Sequence, residues 1–124
     1  DGNDKYNLLI LCWKKGSHSK IHSHSGSMCV MKVLKGALTE ETFEWPSGEH
    51  EMRLVAQKKL EGDCVNFIND GIGLHRIASV EEDSVSLHLY SPPIKECYTF
   101  DENSGSSKKI TRCEFYSKFG EICD

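Results

Sequence analysis

The 124-residue sequence holds no apolar run approaching the roughly 20 residues that a membrane-spanning helix needs, so no membrane span is expected. It has only three prolines, two of them adjacent at Pro92-Pro93, and no repeat, linker or low-complexity tail. That organisation fits a single domain over residues 1–124. Positive charge is not in excess: 15 Lys and Arg stand against 19 Asp and Glu, a net charge of −4. The lysine pairs Lys14-Lys15, Lys58-Lys59 and Lys108-Lys109 are scattered and read as solvated surface. A nucleic-acid footprint needs a basic stripe, so nucleic acid is not expected as a partner. The six cysteines include no CxxC pair and no dense spacing, and no signal peptide is expected. This argues against a disulfide-stapled secreted module and for a reduced, cytoplasmic protein. Cys12 and Cys64 lie in the apolar runs LLILCW and CVNFI, where a free cysteine is expected to behave as a small core residue.

What is present is a succession of short strand signals. Charged residues at 27% and hydrophobic ones at 38% suit an ordered globular chain. Tyr6 to Trp13 reads as a buried strand. Met28 to Leu34 and Gly36 to Trp45 alternate across Lys35-Gly36 and predict a hairpin. Met52 to Leu60, Cys64 to Ile68, His75 to Val80 and Ser84 to Tyr90 read as further strands, with a loop over 103–109 and a last strand over Thr111 to Tyr116. Many short strands punctuated by turns predict an all-β antiparallel sandwich or jelly-roll barrel.

Chemistry concentrates in histidines. His22 and His24 are one residue apart, so on a strand both side chains leave one face, where two neutral imidazoles can hold a divalent metal. The flanking Gly16, Ser17, Ser19, Ser25, Gly26 and Ser27 are turn residues. An HxH pair alone is more often an exposed polar loop. Two further features favour the metal: His75, in NDGIGLHR, is a candidate third ligand, and Ser86, His88 and Tyr90 line one face of the strand SLHLYS. On an ordinary amphipathic strand that polar face would simply be wet. Inside a small barrel it faces the cavity.

The spacing from Gly16 through His22-x-His24 and Cys29 to Gly36 resembles the first metal-binding motif of the cupin superfamily, with Cys29 where most metal cupins carry a glutamate ligand. IHSH with a following cysteine, IGLHR and SLHLYSPP, in that order, resemble the cysteine dioxygenase family from about Tyr6 to Gly120. The resemblance implies a cupin-type double-stranded β-helix and Fe(II) held by His22, His24 and His75. It also implies oxidation of L-cysteine by dioxygen to cysteine sulfinate. Sequence alone would not choose iron over zinc, nickel or copper. Cys29 matches the cysteine that the family links to a tyrosine by a thioether, here Tyr90, and Ser86 and His88 would hold that phenol's proton in place. Trp13 and Leu74 match positions near the family's substrate pocket, though both read equally well as plain core; Cys97 matches a position near its mouth, though in isolation it reads as a surface thiol. His18 and His50 read as exposed bystanders. Ser23 departs from the family's HDH and should point away from the metal.

A free amino acid's carboxylate calls for a fixed cation, ideally a bidentate arginine. In the family this residue lies upstream of Asp1, and none of Arg53, Arg76 and Arg112 matches it. The expectation is a monomeric domain lacking the family's amino-terminal portion, with metal binding kept and cysteine turnover weakened. The alternatives are a dioxygenase of another small thiol, such as cysteamine or 3-mercaptopropionate, and a non-catalytic metal-binding cupin.

Overall fold

A computed structural model describes residues 3–111 and 115–123. The described residues contain twelve strands and no helix: β1 (Asn7–Trp13), β2 (Ile21–His22), β3 (Met28–Lys35), β4 (Ala37–Phe43), β5 (Leu54–Glu61), β6 (Val65–Ile68), β7 (Leu74–Ala78), β8 (Ser84–Ser91), β9 (Cys97–Phe100), β10 (Ser107–Ile110), β11 (Ser117–Lys118) and β12 (Glu121–Ile122). One sheet has the order β1-β8-β3-β6, the second β10-β9-β2-β7-β4-β5, and β11 and β12 form a separate hairpin. Every pairing is antiparallel. This is the all-β sandwich expected from the turn-punctuated strands.

Alternation decides what each strand buries. β3 buries Cys29, Met31 and Val33, and β8 buries Ser84, Ser86 and His88 while turning Leu89 outward. Met31 and Val33 meet Leu38, Leu60 and Ile77 of the other sheet, with Trp13 and Cys64 packed against them. A second cluster joins Ile21, Phe43, Met52 and Leu74, with Phe100 against it.

Several expectations need correction. β3 and β4 do not form a hairpin: β3 pairs with β6 and β8, whereas β4 pairs with β5 and β7. Both strands carry apolar inner residues that bury against each other across the sandwich, so they face one another instead of lying side by side. Gly36, at φ 74°, passes the chain from one sheet to the other. Cys12 is exposed, because β1 turns Leu8, Ile10 and Cys12 outward, whereas Cys64 does pack against the core. β9 was not foreseen, and β10 occupies part of the expected loop over 103–109; neither short strand carries an apolar alternation long enough to read. Of the strand expected over Thr111 to Tyr116, residues 112–114 lie outside the described residues.

Candidate metal centre

β2 and β7 are neighbours, and His22 lies directly opposite His75 in their register. β2 stops at His22, and backbone pairing continues as the Ser23 N–H donates to the Tyr98 carbonyl. Tyr98 N–H donates to Ser23 Oγ in return, so Ser23 is buried but engaged with β9, away from the histidines. His24 is then held by Asp70: one carboxylate oxygen accepts His24 N–H at 2.7 Å, the other Gly26 N–H at 2.9 Å. The turn that follows has Ser25 at φ 49° and Gly26 at φ 82°, consistent with the turn chemistry of SHSGS. These constraints bring one ring nitrogen each of His22, His24 and His75 within 4.8 Å of one another.

Hydrogen bonding fixes which atoms face the centre. The Lys20 carbonyl, 2.8 Å from His22 Nδ1, can only accept, so Nδ1 carries the hydrogen and the Nε2 of neutral His22 carries a lone pair. The Glu40 carboxylate, 2.9 Å from His75 Nδ1, assigns His75 the same tautomer. The two Nε2 atoms are 3.1 Å apart. Two neutral imidazoles so arranged aim lone pairs at each other, which is unfavourable unless a cation lies with them. Both ring nitrogens of fully buried His24 lack a hydrogen-bond partner, and Asp70 comes no nearer to Nδ1 than 4.0 Å. A buried, unpartnered polar atom is costly, and a metal ion would satisfy it. Burial holds all three histidines below the ordinary imidazole pKa, His24 to about 3 with added repulsion from His75 and His22. They are neutral, as metal ligands must be. The donor set fits a divalent ion.

The polar face of β8 lies beside this centre. Trp13 Nε1–H donates to Ser86 Oγ at 2.8 Å, and Ser86 Oγ is 2.7 Å from His88 Nε2. Tyr90 OH and Cys29 Sγ lie 3.4 and 3.9 Å from His88 Nδ1. The Tyr90 ring stacks between His88 and His24, with centroids 6.0 and 6.4 Å away. Cys29 is directly opposite Tyr90 in the β3–β8 register. Burial pushes its thiol up to about 12, opposed in part by a hydrogen bond with Tyr90. It is therefore a protonated thiol at neutral pH, not a ligand thiolate.

Of the expected site residues, His22, His24, His75, Cys29, Ser86, His88 and Tyr90 converge. Trp13 joins them through Ser86 rather than by lining an open pocket. Leu74 does not join: it packs with Ile21, Phe43 and Met52, leaving β7 on the face opposite His75. His18 and His50 are exposed. Arg53 is exposed and paired with Glu44, Arg76 is clamped by Glu41 and Glu102, and Arg112 lies outside the described residues. Sequence reasoning missed Asp70, Glu40 and Asn66. Only Asp70 had a signal, in the turn sequence Asn69-Asp70-Gly71.

An all-β sandwich with a histidine trio, two of its members buried and the third partly so, defines a metal-binding cupin. Solved structures of similar fold include an RmlC-like cupin of Desulfovibrio desulfuricans, with a TM-score of 0.55 and 20% identity over 76% of this chain and 78% of that one. A sugar phosphate isomerase of the cupin superfamily from Silicibacter pomeroyi has a TM-score of 0.61 and 11% identity over 99% of this chain and 74% of that one. The family described as cysteine dioxygenase type I matches residues 1–103, and the chain belongs to that family. Cysteine dioxygenase type 1 of Rattus norvegicus is 47% identical over 122 residues, covering 96% of this chain and 60% of the relative. The corresponding Homo sapiens and Danio rerio proteins are 46% and 44% identical. The chain spans about three fifths of the length of the curated relatives it matches.

Proposed function

We propose that this chain carries the metal centre of an Fe(II)-dependent enzyme that oxidises L-cysteine with dioxygen to cysteine sulfinate, in a reducing, cytoplasmic setting. The observation that carries the reading is the convergence of the His22 and His75 lone pairs beside unpartnered His24, with Cys29 and Tyr90 paired alongside. Both atoms of dioxygen enter the sulfinate, so thiol and dioxygen balance the reaction without a further reductant. Fe(II) held by three neutral histidines would keep its full charge and open positions, supplying a centre where thiolate and dioxygen meet.

The chain's own residues set the proton positions around that centre. Trp13 can only donate, so Ser86 Oγ accepts from it, which leaves the Ser86 hydrogen available for His88 Nε2. Neutral His88 then carries its hydrogen on Nδ1 and offers it to the Tyr90 oxygen. The Tyr90 phenol, which also hydrogen-bonds Cys29, lies beside the His24 ring, where it would stabilise negative charge developing on oxygen or sulfur. A thioether between Cys29 Sγ and a Tyr90 ring carbon would lock the phenol there. Its formation replaces S–H and C–H by C–S, with two electrons and two protons passing to dioxygen.

Neither described arginine is free to bind the cysteine carboxylate, and this favours a second reading for these 124 residues alone: a metal-binding cupin with little or no cysteine turnover. Anaerobic loading with Fe(II), followed by oxygen uptake with L-cysteine, cysteamine or 3-mercaptopropionate and mass detection of sulfinate, separates the readings. Uptake with cysteine sulfinate as product supports the enzyme. One iron bound without uptake supports the binding module, unless restoring upstream sequence of the relatives' kind restores activity. Uptake with another thiol in preference to cysteine overturns the substrate assignment.

A further inference from the structure

Among the described residues one carboxylate is buried, that of Glu40 on β4, 7% exposed. It is flanked in space by Leu38 of its own strand and by its register partner Ile77, both members of the apolar cluster. A carboxylate there is costly unless its lone pairs are used, and both hydrogen bonds it makes converge on one oxygen. Glu40 Oε2 accepts His75 Nδ1–H at 2.9 Å and the amide of Asn66, from β6 of the opposite sheet, at 2.8 Å. The Asn66 amide is oriented in turn by Lys58, whose Nζ, a donor only, lies 3.4 Å from Asn66 Oδ1. Neither interaction suits a residue chosen for packing.

We infer that Glu40, braced by Asn66, is a positioning residue that fixes the tautomer and ring orientation of His75 and strengthens it as a metal ligand. The inference rests on the metal-site reading and extends it to β4 and β6. With Nδ1–H committed to Glu40, His75 must present the Nε2 lone pair. The anion behind the ring also makes that lone pair more basic. Cys29 occupies the position where most metal cupins place a glutamate ligand. Here the carboxylate charge acts through an imidazole, so it supports metal binding without occupying a coordination position.

The test titrates metal-free protein with Co(II), and anaerobically with Fe(II), against a chromophoric chelator, alongside thermal melting of the metal-free form. Glu40→Gln should weaken metal binding about 10–100-fold and change the Co(II) absorption spectrum, while the metal-free melting temperature holds or rises as a buried charge is removed. Asn66→Ala should weaken binding less. Wild-type affinity and spectrum in a folded Glu40→Gln protein would overturn the inference and leave the metal site standing. Absence of metal binding in the wild type would overturn both. Should Glu40→Gln fail to fold, unchanged affinity in Asn66→Ala is the overturning result and weakened affinity the supporting one. None of these readouts depends on cysteine turnover, so the proposed activity can fail separately.

Discussion

Acidification of the metal-free chain should destabilise it well above the pH at which its carboxylates protonate. His24 and His88 are buried, with pKa values pushed down to about 3 and about 4, by burial first and then by neighbouring histidines. In the unfolded chain each titrates near 6.5. The folded pKa is depressed, so between those values the unfolded state binds more protons. The stability from keeping these rings neutral is therefore present above about pH 6.5 and lost as pH falls. Between pH 7 and pH 5 each ring costs about 2 kcal/mol, or about 4 kcal/mol for the pair, at 1.36 kcal/mol per pH unit. His22 and His75 are omitted from this sum because a single proton between their Nε2 atoms would relieve the facing lone pairs. Glu40, whose pKa burial raises, works in the opposite direction and offsets a small part. A loss of about 4 kcal/mol is a large share of the ~5–15 kcal/mol that stabilises a domain. Urea unfolding of metal-free protein at pH 7 and pH 5 should show the midpoint falling by about 2 M for a slope near 2 kcal/mol/M. A midpoint that moves by less than about 0.5 M over the same range would refute the argument.

Replacing Cys29 by Ala should abolish any thioether, seen as loss of the protein species lighter by two hydrogen atoms in mass spectrometry of oxygen-exposed iron-loaded protein, with metal content unchanged. Trp13→Phe leaves Ser86 Oγ without its donor and should destabilise the protein by about 1–3 kcal/mol, measured by denaturant unfolding. Gly73 sits at φ 147°, and a Cβ there would lie 2.8 Å from the Phe43 carbonyl oxygen. Gly73→Ala should therefore cost at least about 1–3 kcal/mol by the same measurement. Because Gly73 lies two residues from His75, it should also weaken metal binding.

The parts of the site legible in the sequence are those written along single strands. His22-x-His24 and Ser86-x-His88-x-Tyr90 declare a shared face by period two, and His75 stands in a recognisable turn-to-strand segment. Glu40 was not legible, since it lies in Thr39-Glu40-Glu41-Thr42, where nothing distinguishes an inward glutamate from an outward one. The register that sets β4 against β7 makes that distinction: Glu40 turns to His75 while Glu41 pairs with Arg76. Asn66 reaches Glu40 only across the sandwich. The mistaken β3–β4 hairpin has the same origin. A local alternation through Lys35-Gly36 is compatible both with strands side by side and with strands face to face, and only long-range packing chooses. The core alternative for Leu74 is the one its packing matches, since resemblance gives a position in a motif but not the face of a strand that the side chain leaves.

Two hydrogen-bond chains run towards the histidines. Each begins at a side chain that can only donate: Trp13 in one, Lys58 in the other. Trp13 makes Ser86 Oγ an acceptor and leaves its hydrogen available to His88 Nε2; with that hydrogen there, His88 carries its own on Nδ1 and the Tyr90 oxygen accepts it. Lys58 turns the Asn66 amide so that its N–H faces Glu40, which keeps the carboxylate an acceptor for His75 Nδ1–H. The first chain runs to the Tyr90 phenol beside His24, and the second ends at the His75 Nε2 lone pair. The two chains reach the histidines from different strands. β8 supplies the first, and β4 with β6 supplies the second.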